Sequence, residues 1–83
     1  MKIRIEEEIY EGTPSEIMES LWDGSFDKNQ FPDLDRYITY MCSTFERMTD
    51  IPCDIPNGTT DERAHALLLR LAEIDALEVV EDE

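Results

Sequence analysis

A chain of 83 residues has room for one domain and one modest core, and its 41% hydrophobic and 8% aromatic content excludes a disordered polyelectrolyte. Its 21 acids against 7 bases set a formal charge of −14, which disfavours direct contact with nucleic-acid phosphate and points instead to a basic partner or to acidity that serves solubility alone. No apolar run approaches a membrane span, and no secretory leader is evident, so the expectation is a reduced, cytoplasmic protein without membrane contact.

The first ten residues open with strand alternation. Ile3 and Ile5 point one way, Lys2 and Arg4 the other. Glu6-Glu7-Glu8 interrupts that period and Ile9-Tyr10 resumes it. One bent strand fits, and so does a tight hairpin turning at Glu6-Glu7. The hairpin is preferred, although Glu-Glu lacks the Asn-Gly or Asp-Gly chemistry of a favoured turn. It would set Tyr10 across from Ile3 and the basic first strand against the acids of the second.

Gly12-Thr13-Pro14-Ser15-Glu16 is a sharper signal: Thr13 as N-cap, Pro14 at the first helical position and Glu16 completing a capping box. Ile17, Met18, Leu21 and Trp22 form the buried side of the short helix that follows, and Gly24 ends it. Residues 25–32 read as a loop whose Phe26 and Phe31 are satellite core side chains. A central helix is expected over 34–48, capped by Asp33, with Leu34, Tyr37, Ile38, Met41, Phe45 and Met48 along one face. At 1.5 Å per residue it would span roughly 22 Å.

Residues 51–55 suggest a short edge strand, since Pro52 and Pro56 remove backbone donors that a central strand would need. Asn57-Gly58 turns the chain into a second cap, at Thr59 or Thr60 with Glu62 following. A helix over 61–74 places Ala64, Leu67, Leu68 and Leu71 in the core and leaves Leu69 on an apolar flank. Leu77-Glu78-Val79-Val80-Glu81 is the final strand, with Leu77 and Val79 inward. The result is one compact α+β domain over 1–83, in the order β-β-α-α-β-α-β, with three helices against a small sheet.

Chemistry is sparsely signalled. His65 lies in a helix with neither Glu nor His four residues away, and Cys42 and Cys53 show no C-x-x-C spacing. The run Glu6-Glu7-Glu8 with Glu11 lacks the glycine and alternating ligands of a calcium loop. No activated nucleophile and no phosphate-binding loop can be read, so the expectation is a noncatalytic protein with no cofactor and no metal.

The acids themselves are the better lead. Carboxylates on rigid elements imitate part of the regular charge array of nucleic-acid phosphates. Glu16, Glu19 and Asp23 form one row, and Glu6, Glu7, Glu8 and Glu11 a second if the hairpin forms. Asp33 and Asp35 extend them, and Tyr40, off the core stripe, is a candidate aromatic anchor. The expected partner is a basic protein surface, foremost a nucleic-acid-binding protein. On that reading Glu16→Lys with Glu19→Lys weakens association while barely touching the fold. The alternative is a small homodimeric structural or regulatory domain joined through apolar helix surfaces that include Leu69.

Met1-Lys2-Ile3-Arg4-Ile5 followed by Tyr10-Glu11-Gly12-Thr13-Pro14-Ser15-Glu16-Ile17 resembles small accessory proteins of bacterial prophages and other mobile elements. The likeness covers the first quarter of the chain. It implies a setting in which inhibitors of host restriction or CRISPR defence occur, some of them acidic nucleic-acid mimics, and it transfers no site residue.

Overall fold

Alternation at the start of the chain produces a hairpin. In the computed structural model, which describes residues 1–24 and 31–82, β1 (Lys2–Ile5) pairs antiparallel with β2 (Glu8–Glu11), setting Ile3 opposite Tyr10 and Ile5 opposite Glu8. Glu6 and Glu7 are the two connecting residues, and Glu6 takes φ 56°, the left-handed backbone that primed hairpin turns require and glycine usually supplies. Helix-forming sequence separates this hairpin from β3 (Glu78–Glu81), which returns antiparallel to the other side of β1. The strand order is β2-β1-β3.

The basic strand therefore lies between two acidic ones. Lys2 pairs with Glu11 at 3.4 Å, and Arg4 pairs with Glu78 on the opposite neighbour. The basic first strand faces the acids of the second, as the alternation predicts, and the fold uses its charge toward β3 as well.

Helix α1 (Pro14–Asp23) begins with the expected capping box: Thr13 Oγ1 accepts from Glu16 N–H at 3.2 Å, and Thr13 N–H donates to Glu16 Oε1 at 3.0 Å. Helix α2 (Leu34–Thr49) is capped by Asp33, whose carboxylate accepts from Arg36 N–H at 2.9 Å. Helix α3 (Thr60–Glu73) takes Thr59 as its cap, which decides between the two neighbouring threonines. The domain is thus α+β, with three helices packed on a three-stranded antiparallel sheet among the described residues.

The core is drawn from every layer. Ile3 of the sheet, Ile17 and Met18 of α1, Ile38 of α2, and Leu67 and Leu68 of α3 are fully buried. Each such side chain stabilises the fold by about 1.5–3 kcal/mol relative to exposure. Trp22 stacks on Tyr37 at 6.0 Å, and Phe31 meets Tyr37 edge-on at 5.6 Å, so Phe31 is the satellite core residue expected of it. Phe26 lies outside the described residues. Leu77 is buried and Val79 half-buried, as the alternation predicts.

Two expectations are corrected. Residues 51–55 form no strand, so the order is β-β-α-α-α-β. With Pro52 and Pro56 unable to donate, the segment folds back locally through Ile55 N–H to Cys53 O at 3.1 Å. It buries Cys53, whose carbonyl accepts from the Cys42 thiol at 3.2 Å. The stripe of α2 also stops early: Phe45 is 3% exposed but Met48 is 77% exposed, in the last turn beyond the core. Leu69 is 37% exposed at the margin of α3. No helix among the described residues is long and apolar enough to cross a membrane.

Candidate functional site

The N-termini of α1 and α3 meet at one end of the sheet. Asp61, in the first turn of α3, accepts at Oδ1 from both the backbone N–H (3.1 Å) and the hydroxyl (2.9 Å) of Ser15. One carboxylate thus completes the start of a neighbouring helix, where unpaired N–H groups and the helix dipole favour negative charge. Beside this junction Gly12 adopts φ +146° and donates its N–H to Met1 O at 3.0 Å, carrying the chain from β2 into α1. That backbone region suits glycine, so the corner is fixed by sequence.

Around the corner opens a concavity of about 620 Å³. Six carboxylates line it: Glu11 from β2, Glu16 from α1, Asp61 and Glu62 from α3, Glu81 from β3, and Asp82 just beyond. His65 joins them, its Nε2 lying 3.0 Å from Asp82 Oδ1, which ties the end of the third strand to α3. The Thr13 bonds, the backbone N–H foremost, hold the Glu16 carboxyl below its ordinary pKa, against a smaller opposing push from Asp61.

Of the acids chosen from sequence, only Glu11 and Glu16 enter this hollow. Glu6, Glu7 and Glu8 are exposed at and beside the hairpin turn, and Glu19 and Asp23 are exposed further along α1. Glu16 is half of a capping box and not a free surface acid, so the Glu16→Lys, Glu19→Lys pair would disturb the helix start as well as the charge. Asp33 is committed as a cap. Asp35 accepts from Arg63 Nη1 at 2.9 Å and from Thr60 Oγ1 at 3.0 Å, clamping α2 to α3. Tyr40 is 45% exposed, with its ring 5.0 Å from Phe31.

Asp61, Glu62, His65, Glu81 and Asp82 are the lining residues that sequence reasoning passed over. Glu62 reads in the sequence only as part of a helix cap, and Glu81 only as the end of the final strand. Only the return of β3 to the N-terminal strand brings the two groups together.

The arrangement gathers carboxylates from two helices and two strands around one open hollow. The Ser15 hydroxyl is bonded to Asp61 and the His65 Nε2 to Asp82, so they do not form the nucleophile–base contact that covalent catalysis uses. Among the described residues no group of three or more His, Cys, Asp or Glu side chains converges to hold a metal ion. Burial, helped by the neighbouring Cys42 thiol, pushes the Cys53 thiol up to about 12, which makes it a poor nucleophile. No protein-family model, curated protein or solved structure matches the chain.

Proposed function

We propose that this domain is a noncatalytic interaction protein whose acidic surface receives a basic protein surface, acting as a nucleic-acid mimic that blocks a DNA- or RNA-binding partner. The observation that carries the reading is the convergence of six carboxylates from both helix starts and two strands on one open hollow. Internal neutralisation leaves a large surplus: Lys2, Arg4, Arg63 and Arg70 each face an acid, in a chain with 21 acids and 7 bases. Such a surface speeds encounter with a cationic cleft and competes with phosphate for it. The likeness of the first quarter to prophage and mobile-element accessory proteins favours an inhibitor acting in the cytoplasm.

The test is capture from host lysate by the tagged protein, eluted along a salt gradient. Recovery of a DNA- or RNA-binding protein that moderate salt releases and duplex nucleic acid displaces supports the reading. Recovery of the bait alone, as a salt-insensitive dimer, overturns it.

A further inference from the structure

Among the described residues the β2 edge of the sheet is unpaired and carries a defined pattern of charge. Among the described residues β2 is bordered by β1 on one side only. Its regular register, with Ile5 opposite Glu8 across a two-residue turn and Gly12 N–H bonded to Met1 O, fixes which backbone groups face inward. Hydrogen-bonded and non-bonded pairs alternate in an antiparallel ladder, so the N–H and C=O groups of Ile9 and Glu11 point away from β1, to the open side. Glu8, Ile9 and Glu11 are exposed, Ile9 at 51%.

The protein itself shows one base set against an acid of β2: Lys2 lies opposite Glu11 and pairs with it, while Ile5 lies opposite Glu8 and Arg4 opposite Ile9. β2 reads Glu-Ile-Tyr-Glu and β3 reads Glu-Val-Val-Glu, and the strand held between them is Lys-Ile-Arg-Ile. Its bases pair outward with Glu11 and Glu78. A second copy of the chain fits the β2 edge poorly, because each copy carries a formal charge of −14 and would bring its own Glu8 and Glu11 to the seam. The β3 edge is less suited as a template because its register with β1 is irregular at Lys2/Ile3, and such irregularities turn an edge away from pairing.

We infer that the β2 edge, Glu8–Glu11, docks an extended basic segment of a partner protein as a fourth antiparallel strand. The segment carries Lys or Arg opposite Glu11 and Glu8, and apolar residues opposite Tyr10 and Ile9, in the order basic-apolar-apolar-basic. Main-chain bonds to Ile9 and Glu11 supply the pairing, and the two acids select the sequence. The inference deepens the proposed function and rests on it, because it names the form of the basic partner.

The experiment uses the intact isotope-labelled protein and a synthetic peptide with an Arg-Val-Val-Arg core. Two controls accompany it: the same peptide N-methylated at the valine facing Ile9, and a Glu-Val-Val-Glu peptide. The expected result is binding of the basic peptide with hydrogen-exchange protection of the Ile9 and Glu11 amides. N-methylation should weaken it about tenfold or more through lost main-chain bonds, with no binding of the acidic peptide. Equal binding of the methylated peptide, or changes centred on β3 or on the Glu16, Asp61 and Glu62 side of the acidic hollow, would overturn strand addition while leaving a basic partner in place. Failure of both basic peptides to bind would overturn strand addition, and the lysate capture then decides separately whether a basic surface is received at all.

Discussion

Removing the Asp35 carboxylate tests whether an exposed-looking acid belongs to the fold or to a partner. Asp35 Oδ1 accepts from Arg63 Nη1 at 2.9 Å and Oδ2 from Thr60 Oγ1 at 3.0 Å, while Arg63 Nη2 donates to Thr39 Oγ1 at 2.8 Å. The Arg63 side chain is 20% exposed and that of Asp35 48% exposed, so the pair is partly screened and must be valued below a buried one. Two partly screened bonds to the carboxylate, from Arg63 and from Thr60, and the loss of an acid from a helix start together make Asp35→Ala cost about 1.5 kcal/mol. At about 4–8 °C per kcal/mol for a domain of this size, Tm should fall by about 6–12 °C. Urea unfolding followed by the fluorescence of Trp22, which stacks on Tyr37, reads the change. A double-mutant cycle with Arg63→Ala isolates the pair, and its coupling should be about 1 kcal/mol. A stability loss under about 0.3 kcal/mol with an additive cycle would refute the clamp.

Glu6 at φ 56° pays the left-handed penalty of a side-chain residue, so Glu6→Gly should raise stability by about 0.5–1 kcal/mol in urea unfolding. A loss of stability would contradict the turn geometry. Cys53, pushed up to about 12, should react with iodoacetamide at pH 8 about a thousandfold more slowly than an ordinary thiol, its rate still rising beyond pH 10. Labelling at the rate of the unfolded protein would contradict its burial. The Glu16 carboxyl, lowered chiefly by Thr13 N–H, contributes stability that is fully present above the ordinary glutamate pKa of about 4.3 and lost as pH falls through the lower folded value. Carboxyl carbon shifts should show Glu16 titrating below the ordinary range, and titration at or above it would contradict the capping box.

Local chemistry was legible wherever a residue acts on its own neighbours. Thr13 with Glu16, Asp33 and Thr59 are caps because their side chains reach backbone N–H groups three residues on, a relation contained in the sequence. The hairpin register followed from alternation, which opposes Ile3 and Tyr10 even though Glu6-Glu7 is poor turn chemistry. Tertiary contacts were not legible. Ser15 and Asp61 are 46 positions apart, as their bond records, and nothing at either position announces the other. Asp35 read as a free helix-start acid because its claimants, Thr60 and Arg63, lie on another helix. The strand expected over 51–55 had the right apolar residues, but its prolines left the segment to bury Cys53 without joining the sheet.

The most direct test of the acidic surface is the affinity of the captured partner for wild type and for a Glu62→Gln, Glu81→Gln variant, measured across salt. Both residues line the hollow and are exposed, and neither carries an ion pair among the described residues. The account predicts about tenfold weaker binding by the variant at low salt, a shallower salt dependence, and convergence of the two proteins at high salt. Equal affinity and equal salt dependence, with both proteins equally folded, would contradict it.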